Sequence, residues 1–302
     1  MLLSVLLGGR SSPHAPYSLS GGPAPRDWSS RPQLRAADER NGTTSAFRFD
    51  FGAADAGAAA APAPAALADA DAASATSRPI TRIAAVQATA AVTRVVEAGG
   101  ERFDLAVAES SQVVEAGVYE GGRELWECAI DLVEWLAAHR RPSGTVLELG
   151  CGRGLPGLWC LKRGAQQVVF SDYDANVLER YTRCDAARVG GQCHFYAGDW
   201  RGLPAALSGD GFGKFELILS AETAYREDTT HSLVECVAKT LSVSGEALVA
   251  TKRYYFGCGG GVAALENEIG RVNRLCCEVV WSAEDGRSNV RDILRVFWRK
   301  DG

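Results

Sequence analysis

The sequence predicts an α/β fold, in which a doubly wound parallel sheet ends in an antiparallel hairpin. From Ile80 onward, short apolar runs alternate with amphipathic stretches, which is the pattern of successive strand–helix units. The last two apolar runs have only a turn at Asp285-Gly286 between them, which is typical of a hairpin. In such a sheet a ligand binds at the carboxyl ends of the parallel strands.

Hydrophobic periodicity places the elements along the chain. Apolar residues at helical spacing, from Leu125 to Leu136, predict the first helix. The amphipathic stretches predict helices over residues 124–138, 156–163, 175–188, 231–241 and 262–275. The apolar runs predict strands over residues 145–149, 167–171, 192–196, 215–220, 246–251, 278–282 and 290–298. These elements make up one domain, residues 79–302, with a lead-in before the first helix.

Residues 1–78 are predicted to be largely disordered. Of the 23 positions from Ala53 to Ala75, 15 are alanine, which buries too little surface to offset the entropy of ordering the chain. An island of three aromatic residues at 47–51 has three interpretations: an edge strand, a docking motif or an isolated hydrophobic run without a role. The first 36 residues contain one acid and four arginines, which fits an organellar transit peptide and also fits an unstructured extension.

Composition excludes several classes of protein. A net charge of −5 lacks the basic footprint of broad nucleic-acid binding, so no direct nucleic-acid partner is expected. No apolar stretch approaches the ~20 residues of a membrane span, so no membrane partner is expected either. The nine cysteines are odd in number and lie mostly in apolar runs, which indicates a reduced intracellular protein. Because no CxxC pair occurs, no metal site is predicted.

The first chemical motif is a glycine turn of the form GxGxG that follows the first buried strand. Its residues Gly150, Gly152 and Gly154 let the backbone turn tightly and lie against a ligand without an intervening Cβ. The dinucleotide pattern GxGxxG would require glycine where Leu155 stands, which disfavours a nicotinamide or flavin enzyme. Glu148, just before the turn, is expected either to orient the loop or to meet an ammonium group of the ligand.

Polar and aromatic residues follow the next three predicted strands. Asp172 lies 18 residues beyond the glycine turn, near the ~20 expected for an acid that binds ribose hydroxyls, whereas Asp174 is the better helix N-cap. Asp199 can accept a hydrogen bond from an adenine amino group while Trp200 stacks on the base. Ser220 begins a polar segment after the fourth strand, which is expected to lie at the mouth between cofactor and substrate. The alternative role for Ser220 is to cap a helix.

Two further segments make the motifs resemble one family. Residues 117–128 read GVYEGGRELWEC and residues 252–261 read KRYYFGCGGG, and with the motifs above they resemble the eukaryotic histidine protein methyltransferases. The aromatic island at 47–51 is similar to that family's short N-terminal motif. The resemblance covers residues 117–298 and implies a seven-stranded class I methyltransferase (Rossmann-like) fold with S-adenosyl-L-methionine as cofactor. Residues 1–40, the alanine-rich stretch and residues 202–213 depart from the family pattern.

The resemblance also implies which residues contact the cofactor, since in the family the tryptophan segment, here residues 125–129, helps to enclose it. Combined with the motifs above, it gives as cofactor-binding residues Leu125, Trp126, Glu127, Cys128, Ala129, Glu148, Gly150, Gly152, Gly154, Ser171, Asp172, Tyr173, Gly198, Asp199, Trp200 and Ser220. The family's activity implies methylation of the tele nitrogen of a histidine in a large-subunit ribosomal protein of the L-three family.

Glu222 is the predicted catalytic residue. Methyl transfer from a sulfonium is an in-line displacement, and neutral imidazole, with a reference pKa near ~6.5, is already nucleophilic. A carboxylate that accepts the N–H of the non-reacting ring nitrogen would select the nitrogen that reacts, which is the role predicted for Glu222. Tyr254, Tyr255 and Phe256 are predicted to contact the substrate from a loop that closes over a peptide, with a packed turn as the alternative.

The sequence thus predicts a monomeric protein-histidine methyltransferase that acts on a protein substrate. Its expected location is the cytoplasm and the nucleus, or an organelle if the first residues are a transit peptide. Two alternatives stay open at this point. One is a lysine or small-molecule methyltransferase of the same fold, and the other is a cofactor-binding factor without transfer activity.

Overall fold

The computed structural model describes residues 78–87, 93–107, 121–283 and 289–299. The strands are β1 (Thr81–Ile83), β2 (Thr93–Ala98), β3 (Glu101–Ala106), β4 (Thr145–Leu149), β5 (Gln167–Asp172), β6 (Gln192–Ala197), β7 (Phe215–Ala221), β8 (Leu241–Lys252), β9 (Leu275–Ala283) and β10 (Arg291–Trp298). The helices are α1 (Glu127–His139), α2 (Leu155–Lys162), α3 (Ala175–Val177), α4 (Arg183–Val189), α5 (Leu203–Gly209), α6 (Glu227–Thr240) and α7 (Val262–Arg271). A π-turn over Leu178–Thr182 joins α3 to α4.

The main sheet has eight strands in the order β1-β6-β5-β4-β7-β8-β10-β9, and β2 pairs with β3 in a separate hairpin. The chain winds from β4 outward to β6, returns to β7 beside β4 and continues to β8, all in parallel. The switch point of the winding therefore lies between β4 and β7. Strand β10 runs antiparallel between β8 and β9. The predicted doubly wound sheet with an antiparallel C-terminal hairpin is confirmed.

Helices cover both faces of this sheet. On one face α1 and α2 pack through Leu132 and Trp159, both fully buried. On the other face α6 and α7 pack through Leu233 and Leu265. Because both faces of the central strands are covered, those strands appear in the sequence as continuous apolar runs. Within the described ranges, no helix is long and apolar enough to span a bilayer.

Most predicted elements agree with the structure to within a few residues. The strand predicted over 145–149 is β4, and the helix predicted over 175–188 corresponds to α3, the π-turn and α4. Strand β1, the β2–β3 hairpin and α5 were not predicted, since β1 has three residues and α5 seven, too few to show a period. Apart from Arg78, the segment predicted to be disordered, with its aromatic island, lies outside the described residues.

A buried ion pair fixes the β2–β3 hairpin against the glycine turn. Arg153 donates from Nη2 to Asp185 Oδ2 at 2.8 Å, and both side chains are almost fully buried. The last hairpin residue, Ala106, accepts a bond from Arg153 at 2.6 Å and donates its N–H to Asp185 at 2.8 Å. Trp159 of α2 adds a bond to the carbonyl oxygen of Gly99, at 3.2 Å. The hairpin thereby supports the turn that is predicted to hold the cofactor.

Candidate active site

A cavity of about 540 Å³ opens at the carboxyl ends of the parallel strands. Its lining includes Gly150 after β4, Asp172 at the end of β5, Gly198 after β6 and Glu222 after β7. The cavity lies at the switch point of the sheet and has the size of a small-molecule site. We name the part formed by the residues after β4, β5 and β6 the cofactor end, and the part around Glu222 and the first turn of α6 the acceptor end.

The glycine turn contributes its backbone to the cofactor end. Gly150 has a φ of 61°, in the left-handed region that favours glycine. A Cβ at this position would lie 2.4 Å from Thr223 Cγ2 and 3.1 Å from the ring of Trp200. Gly152 donates its N–H to Asp172 Oδ2 at 2.8 Å, and this bond holds the turn against β5. The backbone therefore meets a ligand in the cavity without a side chain between them.

Glu148 lies beneath the turn and uses its carboxyl group to hold α2. Its Oε2 accepts a hydrogen bond from the N–H of Gly157, in the first turn of α2, at 2.8 Å. Burial, with a smaller contribution from the charge of Asp172, raises the pKa of Glu148 from 4.5 to about 8 even though the Gly157 bond acts against it. Of the two roles expected for Glu148, this contact corresponds to orienting the loop.

Asp172 and Tyr173 form the wall beside the turn. The two carboxylate oxygens of Asp172 accept separate backbone bonds, from Gly152 at 2.8 Å and from Asp174 at 3.0 Å. The side chain of Asp174 caps α3 by accepting a hydrogen bond from the N–H of Asn176 at 2.9 Å, which is the N-cap role predicted for Asp174. Asp172 is thus fixed at the end of its strand on the cavity surface, in the position predicted for a ribose contact.

Gly198, Asp199 and Trp200 line the cavity after β6. Although partial burial raises the pKa of Asp199, its hydrogen bonds and ion pair with Arg201, at 2.5 Å, bring that pKa below the ordinary value. Asp199 is therefore an ionised acceptor. The indole N–H of Trp200 is buried with no hydrogen-bond partner among the described residues. A wide aromatic ring next to an ionised acceptor suits a nucleobase with an exocyclic amino group.

The tryptophan segment lines the cavity from the side of α1. Leu125, Trp126 and Ala129 belong to the lining. Trp126 donates its indole N–H to the carbonyl oxygen of Gly121 at 3.0 Å, which fixes the plane of the ring. The side chains of these three residues come from the residues just before α1 and from its first turn, so the segment encloses the cavity as a unit.

Five of the predicted cofactor residues lie behind the lining rather than on it: Glu127, Cys128, Gly154, Ser171 and Ser220. Consecutive residues of a helix point in different directions, so Glu127 faces solvent and Cys128 is buried in the core. Gly154 is the left-handed N-cap of α2, and Ser220 donates to the carbonyl oxygen of Leu149 at 2.9 Å. Because α6 begins at Glu227, Ser220 does not cap that helix. Apart from Glu127, these residues lie under the walls of the cavity.

Glu222 is the central residue of the acceptor end. It has a φ of 57°, a left-handed conformation that is costly for a residue with a Cβ and that recurs at functional sites. Its Oε2 accepts a hydrogen bond from the hydroxyl of Tyr255 at 2.8 Å, and Lys252 Nζ lies 3.5 Å from its Oε1. In the part of the chain that the structure describes, Oε1 has no hydrogen-bond partner. One carboxylate oxygen is therefore fixed by Tyr255, while the other is buried beside the ammonium group of Lys252.

The facing wall of the acceptor end was not predicted from the sequence. It consists of residues just before α6 and in its first two turns, Tyr225, Arg226, Asp228, Thr229 and Ser232. Asp228 forms an ion pair with Arg226 at 2.9 Å. The first turn of α6 is polar, so hydrophobic periodicity placed the start of the helix at residue 231 instead of at Glu227.

The glycine-rich loop after β8 packs closely against this wall. Gly261 donates its N–H to the carbonyl oxygen of Ala224 at 2.8 Å. A Cβ on Gly260 would lie 2.2 Å from the carbonyl carbon of Tyr225. The glycines therefore serve close contact between two backbones, which agrees with the packed-turn interpretation of the loop.

The three aromatic residues of the loop have different environments. Tyr255 is turned inward and donates to Glu222, whereas Tyr254 and Phe256 have exposed fractions of 47% and 78%. The rings of Tyr254 and Phe256 meet edge to face with their centroids 4.8 Å apart. Of the three, Tyr255 is packed inside, as the packed-turn interpretation of the loop predicts. The other two form an exposed aromatic pair next to the acceptor end.

The cofactor end fits S-adenosylmethionine. The exposed backbone of Gly150 suits the methionine part of the cofactor, the carboxylate of Asp172 suits its ribose, and Asp199 with Trp200 suits its adenine. The parallel strands with an antiparallel β10 inserted beside β8 are the sheet of the class I methyltransferases. Fold and site together define the class I methyltransferase fold with a cavity that fits S-adenosylmethionine.

Comparison with known proteins identifies chains that are similar in sequence. Residues 108–256 match the family model described as "Lysine methyltransferase". The chain is 37% identical over 185 residues to the histidine protein methyltransferase 1 homolog of Dictyostelium discoideum, covering 60% of this chain and 59% of that protein. It is 34% identical over 175 residues to the homolog of the same name from Rattus norvegicus, covering 48% of each. Over these residues the chain is similar to the eukaryotic histidine protein methyltransferases.

The chain spans 59% and 48% of the lengths of these two curated relatives. Among solved structures, it is similar to magnesium protoporphyrin IX methyltransferase from Synechocystis with bound S-adenosylmethionine. That likeness has a TM-score of 0.43 and 19% identity, and covers 56% of this chain and 77% of that chain. The fold is assigned from the strand order itself.

Replacement of Gly150 by alanine tests the backbone surface of the cofactor end. The added methyl group would press on Thr223 and Trp200 in a left-handed conformation. The strain of roughly 1–2 kcal/mol lowers stability, and relief of the clash would shift the turn and the ring of Trp200 away from the ligand, so we expect the affinity for S-adenosylmethionine to fall by about tenfold in calorimetry. Gly209→Ala is the matched control, since nothing lies within 4 Å of its Cβ. Equal affinities in the two variants would contradict this account.

Replacement of Glu148 by glutamine tests the buried acid. The folded protein holds the proton of Glu148 up to about pH 8, whereas the unfolded chain releases it near 4.5. Stability conferred by the neutral acid is therefore lost as the pH rises through this window, by up to ~1.4 kcal/mol per pH unit. Relative to the wild type, Glu148→Gln should become steadily more stable from pH 5 to about pH 8 in urea unfolding. Parallel profiles would contradict the assignment, and the exposed Glu97→Gln controls for loss of an acid.

Proposed function

We propose that this protein transfers the methyl group of S-adenosylmethionine to the tele nitrogen of a histidine in a protein substrate. The curated relatives, which carry the name histidine protein methyltransferase, support the choice of histidine. The observation that carries the proposal in the structure is Glu222, whose one oxygen is fixed by Tyr255 and whose other oxygen lacks a hydrogen bond within the described residues.

The acceptor end supplies orientation rather than a strong base. S-adenosylmethionine provides an electrophilic methyl group on a sulfonium. Imidazole has a reference pKa near ~6.5, so it is mostly neutral in the cell and attacks without prior loss of a proton. Glu222 Oε1 accepts the N–H of the pros nitrogen, which turns the lone pair of the tele nitrogen toward the methyl group. Holding the two reactants in line is the main contribution of the enzyme to the rate.

The N–H that Glu222 accepts becomes acidic once the other nitrogen is methylated. The transfer forms a bond between carbon and the tele nitrogen, breaks the carbon–sulfur bond and leaves a positive charge on the ring. A carboxylate on the pros N–H stabilises that charge as it develops, and the ring then releases its proton to solvent. The hydrogen bond from the hydroxyl of Tyr255 keeps the carboxylate in place for this step.

The protein substrate would approach along the exposed aromatic pair. Tyr254 and Phe256 lie on either side of Tyr255, which contacts Glu222, so a chain that crosses their rings brings its side chains to the acceptor end. Exposed aromatic residues next to a pocket are typical anchors of protein–protein contacts. These residues are therefore proposed to contact the polypeptide around the target histidine.

The proposed target is a large-subunit ribosomal protein of the L-three family, in keeping with the family resemblance. Such a target would place the enzyme in the cytoplasm and the nucleus, where ribosomal proteins are made and assembled. The enzyme is proposed to act as a monomer.

Mass spectrometry of the large ribosomal subunit tests the proposal. Subunits from cells with and without this enzyme should differ by one methyl group on a single histidine of one ribosomal protein. Purified enzyme with labelled cofactor should restore that group to subunits or free ribosomal proteins from the deficient cells. Label found on lysine instead would favour the activity in the description of the family model. Cofactor binding without any transfer would indicate a non-catalytic factor.

Glu222→Gln tests the role of the carboxylate. Glutamine keeps the size of the side chain and an acceptor for Tyr255, but it removes the charge that holds the imidazole N–H. We expect the methylation rate to fall by about 10- to 100-fold, which corresponds to the loss of one charge-assisted hydrogen bond. Affinity for S-adenosylmethionine should change little in calorimetry, because the cofactor end is untouched. An unchanged rate would remove Glu222 from the mechanism.

A further inference from the structure

Lys252, the last residue of β8, lies behind the acceptor end. Its Nζ is 3.5 Å from Oε1 of Glu222, and the two side chains have exposed fractions of 19% and 6%. The same ammonium group lies 5.6 Å from the ring centroid of Trp126 and 5.8 Å from that of Tyr255. The carboxylate and the ammonium are therefore both largely shielded from water, where a charge pair is screened far less than at the surface.

The other titratable groups described below are neutral or paired elsewhere, so Lys252 is the group that balances the charge of Glu222. Tyr255, which follows β8, donates a neutral hydroxyl, and burial beside Glu222 raises the pKa of that hydroxyl well above its ordinary value. Cys128 of α1 is a buried thiol whose pKa is raised by burial and then by Glu222, so it stays neutral. Asp131 of α1, the next acid along that helix, forms its own buried ion pair with Arg291.

We infer that Lys252 is a positioning residue that neutralises the charge of Glu222. The acceptor end then favours a side chain that arrives as a neutral nitrogen nucleophile over one that arrives as a cation. This inference rests on the proposed function and narrows it to a physical basis for the choice between imidazole and an alkyl ammonium group. Glu222 retains its hydrogen-bonding capacity, but the pair as a whole presents no net charge to the incoming side chain.

The neutral pair of Glu222 and Lys252 affects an incoming histidine and an incoming lysine differently. Imidazole, with a reference pKa near ~6.5, enters without its proton at no great cost, whereas a lysine amine, near ~10.4, arrives as a cation that needs an uncompensated carboxylate. The facing wall offers none at Asp228, which is paired with Arg226 at 2.9 Å. Without Lys252, Glu222 would attract cations and would also stabilise the imidazolium form of the substrate, in which neither nitrogen has a lone pair for attack.

Lys252→Met removes the ammonium group while leaving most of the side-chain volume, and Lys252→Arg is the charge-conserving control. The substrate is the ribosomal protein fraction from cells that lack the enzyme, incubated with labelled S-adenosylmethionine. Two quantities are measured: the acid limb of the rate at saturating substrate as a function of pH, and the division of label between histidine and lysine after hydrolysis. Cofactor affinity by calorimetry verifies that each variant is folded.

In Lys252→Met the acid limb should move upward by about one pH unit, because Glu222 then stabilises the imidazolium form by about tenfold. The share of label on lysine should rise by a similar factor. Lys252→Arg should keep both quantities close to those of the wild type. A merely structural role for Lys252 would lower the rate at every pH without moving the limb, and that result would overturn the inference.

The double variant Glu222→Gln with Lys252→Met separates charge from shape. It again has a neutral acceptor end, so its acid limb should return to the wild-type position even though its rate is low. If Lys252→Met does not fold, Lys252→Gln makes the same change of charge. Wild-type enzyme that labels lysine would overturn the proposed function together with this inference. Wild-type labelling of histidine, with an unmoved limb in Lys252→Met, would overturn the inference alone.

Discussion

The hydrogen bond from the N–H of Gly152 to the carboxylate of Asp172 is the contact on which the rest of the site depends. It joins the turn after β4 to the end of β5, directly at the switch point of the sheet. The tryptophan segment is seated on the same point, because Gly122 comes so near that a Cβ on Gly152 would lie 3.0 Å from its carbonyl oxygen. Only residues without a Cβ permit this approach, which explains the spacing of the glycines.

The acceptor end joins three parts of the chain through one carboxylate. Glu222 follows β7, Lys252 ends β8, and Tyr255 begins the glycine-rich loop that packs back on the wall beside α6. A movement of any of them would change the direction or the charge of the same group. The site therefore separates two tasks, since the cofactor end is built mainly from strand ends and backbone, while the acceptor end is built from interacting side chains.

The sequence predicted the fold and the cofactor end because both depend on local patterns. Buried strands such as β4 are continuous apolar runs, and the glycine turn with Asp172 has a fixed spacing along the chain. The acceptor end depends on contacts between distant segments, such as that of Tyr255 with a residue 33 positions earlier, and no local pattern encodes them. Glu127 and Cys128 were predicted to contact the cofactor for a related reason. A matching family segment identifies a run of residues, but the geometry of the helix determines which of them face the cavity.

The strand that completes the sheet, β10, is synthesised after all the other described strands. β10 lies between β8 and β9, and its Arg291 forms a buried ion pair, at 2.5 Å, with Asp131 of α1, 160 residues earlier in the chain. While the ribosome is still adding residues, the side of β8 that β10 covers is open and α1 is held only by its earlier contacts. The ion pair between α1 and β10 can form only after β10 has left the exit tunnel. A nascent chain that lacks β10 therefore lacks one of the contacts that hold the tryptophan segment in place.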